Sequence, residues 1–519
     1  MADKTERAYD RSNPPRTDRA VAMIAYWRRS PRQILRIATL LAIAVISPAV
    51  TGCTTNPATG KQEFTPLMSP EREKQVGAEE HPKVLQEFGG VYDEPKIGAY
   101  VASIGGMLSA NSELPDLNFR FTVLDSEIVN AFALPGGYVY VTRGLVALAN
   151  SEAELASVLA HEIGHVTGRH TAQRYNQAVG LSLGGAILGA AIGNQIASDL
   201  ISQGTQLYLL GYSRGQEYEA DQLGIRYLVR TGYDPYAEAD FLQSLENYAA
   251  LEAHLSGQKN GQNSEFFSTH PQTAKRAREA VDAARASGIS IESRPRLRDR
   301  FLEQIDGMVF GGSPEHGFIR GQTFAHPKLR FQFTVPQGLR LINKPDAVYA
   351  KGQSDTQVKF DMAKLSPSTP VLRYLTDEWG QSLRLTDAAT ITVNGMEAAT
   401  GAANVRLPSG NGEIRLVAIR YSRDRVARFI IAIPNSVSAQ MREGLQRMTY
   451  SFKTLNDAEA AALKPYRIRI HTVRSGDTLD SLAARLPYAD FKRERLRTLN
   501  GLATNQKLKP GMKLKIISE

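Results

Sequence analysis

The stretch Ser151-Glu152-Ala153-Glu154-Leu155-Ala156-Ser157-Val158-Leu159-Ala160-His161-Glu162-Ile163-Gly164-His165-Val166 predicts one helix that carries chemistry. Ser151 and Glu154 have the spacing of a capping box, which marks where the helix begins. Leu155, Val158, Leu159 and Val166 form an apolar stripe that buries it against a core. His161 and His165 are four residues apart, so their imidazoles project from one face and can share a metal ion. Glu162 sits beside the first of them, where it can take a proton from water. The same five residues also occur on ordinary helices with surface histidines, so the rest of the chain must supply the context.

A catalytic metal of this kind needs a third protein ligand and an open position. Two frames compete. In one, the helix breaks at a glycine three residues after the second histidine, and a third histidine follows three residues later. Gly168 fits that frame, but position 171 is Thr and the histidine comes one early, at His170. In the other, the third ligand is a carboxylate on a later helix. Ser213-Arg214-Gly215-Gln216-Glu217-Tyr218-Glu219-Ala220-Asp221 offers three. Glu217 and Asp221 share a face, and Glu219 points roughly opposite. One of the pair can bind zinc while the other orients a ligand histidine.

His161–His165 together with Ser213–Asp221 resembles the two signatures of the zinc gluzincin metallopeptidase family that holds HtpX, BepA and the CAAX prenyl endopeptidases. The resemblance covers about residues 66–285. It implies one zinc ion per chain, held by His161, His165 and Glu217, and it counts Asp221 with Glu162 among the catalytic residues. Asn130 to Gly144 resembles the turn and edge strand that this family places beside the metal. Val139-Tyr140-Val141 alternates like an edge strand and would accept an extended peptide by strand addition. A His-Pro followed by an Arg also recurs near the metal in the family, which maps to His270-Pro271 and Arg276. Two roles are open to His270. It can donate to the oxyanion of a tetrahedral intermediate, or it can occupy the open position on zinc and hold the enzyme latent.

The other features place this chemistry in a cell. The chain has 519 residues, room for about three domains. Its single cysteine excludes an internal disulfide and a cysteine-based zinc finger. The net charge is +9, but residues 1–52 carry +5 and residues 466–519 carry +7, which leaves −3 for the other 413. A nucleic-acid-binding body would hold that excess itself, so this class is excluded. Ile37 to Val50 is apolar and follows Arg28, Arg29, Arg32 and Arg36, the form of a secretory signal. Met23 is an alternative start that gives the leader ordinary length. Val50-Thr51-Gly52-Cys53 resembles a bacterial lipobox, which implies lipidation at Cys53. With Thr at position 54, that resemblance implies the periplasmic face of the outer membrane. Val179–Ile192 is too short to span a membrane and reads as a helical hairpin.

The expected fold is multidomain. Residues 53–75 read as a tether. Residues 76–310 read as a mainly α zincin-like peptidase domain with a small strand insert. Residues 313–455 read as an α+β domain with an antiparallel sheet. Residues 453–465 read as a linker, and residues 466–518 as a separate compact unit. His471 to Leu479, with Leu499-Asn500-Gly501-Leu502 and Leu508 to Leu514, resembles a LysM module, a βααβ fold that binds N-acetylglucosamine-containing glycans of peptidoglycan. Leu486-Pro487-Tyr488 departs from its pattern. The leading functional reading is a zinc endopeptidase of envelope proteins. The alternatives are a cell-wall hydrolase and a chaperone-like lipoprotein. None of the nine histidines forms the His-x-His pair of common peptidoglycan endopeptidases, and the intact Glu162 argues against a vestigial site.

Overall fold

A computed structural model describes residues 53–65, 68–177, 211–255, 265–271, 275–352 and 355–519. The leader and Val179–Ile192 lie outside the described residues.

The first helix to consider is Glu152–Thr167. Ser151 caps it by accepting from the Glu154 amide at 3.2 Å. The capping box is only half formed, because the Glu154 carboxylate accepts from the Asn150 amide at 2.9 Å, one residue further back. Every residue of this helix is buried, not one stripe of it. A helix buried all round must be packed on several sides. Pro95–Ala110 and Ala237–Leu255 flank it, and Arg214–Thr231 crosses it. The crossing is close because of two glycines. A Cβ on Gly164 would meet the Ala220 carbonyl oxygen at 3.0 Å, and one on Gly224 would meet the His161 amide nitrogen at 3.2 Å. That approach carries Glu217 and Asp221 to the two histidines. Arg214–Thr231 has a complete capping box between Ser213 and Gln216, and Gly232 ends it at φ 85°.

A three-stranded sheet closes one side. Its order is Arg120–Leu124, Tyr138–Thr142, Ala131–Leu134, parallel in the first pairing and antiparallel in the second. Tyr138–Thr142, read above as an edge, is therefore the central strand. The edge nearest the histidines is Ala131–Leu134.

The α+β part holds a seven-stranded antiparallel sheet between Arg340 and Pro434. Asn394-Gly395 turns between its strands Thr386–Val393 and Met396–Leu407. Phe360, Val417 and Phe429 pack beneath Leu445 and Met448 of the helix Ala439–Ser451 on one face. Val371, Tyr374 and Leu375 cover Leu416 and Ala418 on the other.

Two segments are less independent than their composition implies. The expected tether starts as a hairpin, Cys53–Thr55 against Gln62–Phe64, and a helix follows from Pro70. The Asn56 side chain donates to the Gly168 carbonyl at 3.0 Å, just past the end of the histidine helix. The last unit has the strand–helix–helix–strand order of the expected βααβ fold, but it is not separate. Its strand Tyr466–Thr472 pairs with Lys513–Ser518 and also with Val309–Phe310 of the preceding part. Lys515 is fully buried, and its ammonium donates to the carbonyls of Ala147, Leu148 and Ala149 at 2.7, 3.1 and 2.7 Å. It caps the helix Arg143–Leu148 where the orphan carbonyls collect, although burial pushes the Lys515 ammonium well below its ordinary range. The expected linker is partly ordered by the short helix Asp457–Ala462.

Candidate metal centre

Four side chains from three segments converge. His161, His165, Glu217 and His270 each offer one donor atom, all within 4.8 Å of one another and all buried. His161 Nε2 lies 3.0 Å from His165 Nε2 and 3.4 Å from His270 Nδ1. Glu217 Oε1 lies 3.4 Å from His165 Nε2 and 3.1 Å from His270 Nδ1. Four donors about 2.0–2.1 Å from a tetrahedral zinc ion stand about 3.4 Å apart. The cluster therefore fits a zinc ion, and the donor types suit it.

Each ligand is held from behind. His161 turns its Nδ1 to Asp221 at 2.9 Å. Burial disfavours its charge, but the hydrogen bond and charge of Asp221 push the imidazole up to about 9. His165 turns its Nδ1 to His170 at 2.9 Å, and His170 in turn lies 3.6 Å from Glu219. Tyr212 stacks flat on His165 with centroids 3.6 Å apart, and Arg174 lies over the Tyr212 ring. Arg276 forks onto both oxygens of Asp221 at 2.8 and 2.6 Å and reaches Glu217 at 2.6 Å. Burial alone would raise the Glu217 carboxyl, but His270 and Arg276 hold it well below the usual range. A carboxylate kept charged in this way is ready to bind a cation.

Asp221 lies outside the four-donor cluster, behind His161, between that ring and the Arg276 guanidinium. His170, the rival third ligand, is outside the donor cluster and orients His165 instead.

Glu162 is fully buried beside the cluster, and neither of its oxygens has a hydrogen-bond partner among the described residues. His270 Nε2 is 3.5 Å from one of them. Burial pushes the Glu162 carboxyl up, which suits a base working near neutral pH. His270 also meets the Ala131 carbonyl at 3.2 Å, so it touches the edge strand and the cluster at once. Sequence reasoning missed Tyr212 and Glu238. Tyr212 directly precedes the Ser213–Asp221 motif. Glu238 carries no motif, and burial and the nearby Asp221 push it up to about 8.

A paired-histidine helix with a carboxylate from a later helix defines the gluzincin class of metal centre. Residues 95–284 match the model of Peptidase family M48, and residues 471–516 match the LysM domain. The first stretch is thus similar to M48 peptidases and the second to LysM domains. It is 30% identical over 222 residues to the beta-barrel assembly-enhancing protease of Escherichia coli strain K12, covering 41% of this chain and 44% of that one. It is 30% identical over 164 residues to the protein of that name from Yersinia pestis, covering 30% and 34%. It is 34% identical over 171 residues to the mitochondrial metalloendopeptidase OMA1 of Arabidopsis thaliana, covering 33% and 32%. The match spans about a third to under half of these relatives.

Proposed function

We propose that this protein is a zinc-dependent endopeptidase of cell-envelope proteins, unfolded or misassembled ones in particular. The observation that carries the reading is the buried four-donor cluster with the buried Glu162 carboxylate beside it, free of hydrogen-bond partners among the described residues. Zinc, when bound, would polarise the scissile carbonyl and acidify a water molecule. His161, His165 and Glu217 would hold it. Asp221 and Arg276 fix His161 and Glu217, so the ligands need not reorganise. Glu162 takes the proton from water and returns it to the leaving amine. Ala131–Leu134 is the strand on which an extended substrate would add. The relatives' printed names, with protease and metalloendopeptidase among them, support this reading.

We place the peptidase domain at residues 76–310 and a glycan-binding LysM domain at 466–518, with 1–52 as the signal. Cys53 is the proposed lipid attachment on the periplasmic face, in the outer membrane. Cys53→Ser is expected to leave the membrane fraction or to accumulate as precursor. A mature-sized variant that still fractionates with the membrane would rule out the lipid as main anchor.

The LysM match keeps a second reading in play, a hydrolase of peptidoglycan itself. Purified protein is expected to cleave unfolded casein, to stop when zinc is chelated and to resume when zinc returns. Chelator-sensitive release of fragments from purified peptidoglycan, with casein intact, would overturn the first reading in favour of the second.

We assign His270 the latent role. Its Nδ1 stands at the fourth corner of the donor set, where substrate or water must enter. His270→Ala is expected to raise basal casein cleavage or self-cleavage. A drop of about a hundredfold would instead make it an oxyanion donor.

A further inference from the structure

Three parts of the chain meet around a cavity of about 540 Å³, away from the metal ligands. The peptidase part lends Glu127 and Leu251, the α+β part Leu339 and Leu341, and the LysM part Leu486 and Tyr488. Leu486-Pro487-Tyr488 is the segment where the LysM pattern breaks down, so the departure has a structural counterpart in this wall. Most of the charge around the cavity is already paired. Arg340 bonds Glu252. Arg495 lies 3.5 Å from Asp490 and over the Tyr488 ring at 4.4 Å. Arg143 is committed to Asp125 at 2.9 Å.

Glu127 is the exception. Among the described residues its carboxylate makes no hydrogen bond or ion pair. Burial pushes its carboxyl up, and the charge of Arg143 offsets that only in part. Glu127 is half-buried at the cavity wall, and a carboxylate there without an ion-pair partner is a ready charge partner for a cation.

We propose that this junction cavity is a ligand site for a primary ammonium group carried on an apolar body, with Glu127 as its charge partner and the leucines and Tyr488 as its apolar receptacle. A divalent metal ion fits poorly, because it needs several oxygen ligands and one free carboxylate is present. An anion fits poorly, because the arginines here already have partners.

The test uses the full-length protein and two probes of the same shape, phenylbutylamine and phenylbutanol, titrated by calorimetry. The amine is expected to bind at one saturable site and the alcohol about tenfold more weakly or worse. Glu127→Gln is expected to bring the amine down to the affinity of the alcohol, with zinc content and melting temperature at wild-type values. Equal affinity of the two probes for the wild type, or unchanged amine affinity in Glu127→Gln, overturns the proposal. A diazirine-bearing amine keeps it testable if the variant fails to fold. It is expected to label residues 127–148 or 486–499, and labelling confined to the metal-site segments overturns the assignment.

Discussion

Glu162→Gln is expected to retain one zinc ion per chain and to lose peptidase activity by about a thousandfold or more, at the upper end of what a positioned acid–base group contributes. Retention follows from the donor set. His161, His165 and Glu217 are untouched, and so are Asp221 and Arg276 behind them. Glutamine has the shape of glutamate, so the buried space is kept and no cavity opens. What it lacks is the ability to take a proton. In the native chain both Glu162 oxygens are buried without hydrogen-bond partners among the described residues, and burial raises the proton affinity of the carboxyl. The other two carboxylates nearest the cluster among the described residues are already engaged. Asp221 is tied to His161 and Arg276, and Glu217 is tied to Arg276 and His165. His161→Ala serves as the contrast, because it should lose metal and activity together. Metal analysis and initial rates on unfolded casein decide the matter. A Gln variant cleaving at the wild-type rate would sink the role of Glu162.

The metal helix is legible because its signal is local. A cap, a histidine pair at i and i+4 and an apolar pattern all fall within one short stretch, and helix geometry converts that spacing into a face. The seven-stranded sheet is legible for a similar reason, since alternation and an Asn-Gly turn set strands and hairpins. What stays hidden is long-range. Tyr138–Thr142 alternates as a half-exposed strand would, yet all five residues are buried, because strand order in a sheet is not written in the alternation. Lys515 sits in Leu514-Lys515-Ile516 like any solvent-facing strand residue. Only the fold shows that its ammonium ends on carbonyls more than 360 residues earlier. The Arg276 fork onto Asp221 spans 55 residues and has no local signature, although the family resemblance pointed to its neighbourhood.

Glu217→Ala and His170→Ala should separate a metal ligand from its support. Glu217 is the only carboxylate in the four-donor cluster, and it brings the negative charge that two neutral imidazoles cannot. Its removal also strands Arg276. That guanidinium would keep Asp221 but lose its 2.6 Å contact at the metal edge, leaving uncompensated positive charge where a cation must bind. Zinc affinity is expected to fall by well over a hundredfold, beyond the 10–100-fold that loss of an orienting partner typically costs. His170→Ala removes such a partner. His165 loses the 2.9 Å contact that sets its tautomer and ring orientation, but keeps Nε2 in the cluster and Tyr212 stacked on its face. That variant should weaken zinc within the 10–100-fold range and still hold about one ion per chain when zinc is supplied. The measurement is zinc retained after dialysis against a graded series of chelators. If His170→Ala emptied at once and Glu217→Ala stayed loaded, the third ligand would be His170 and the two-helix frame would be wrong.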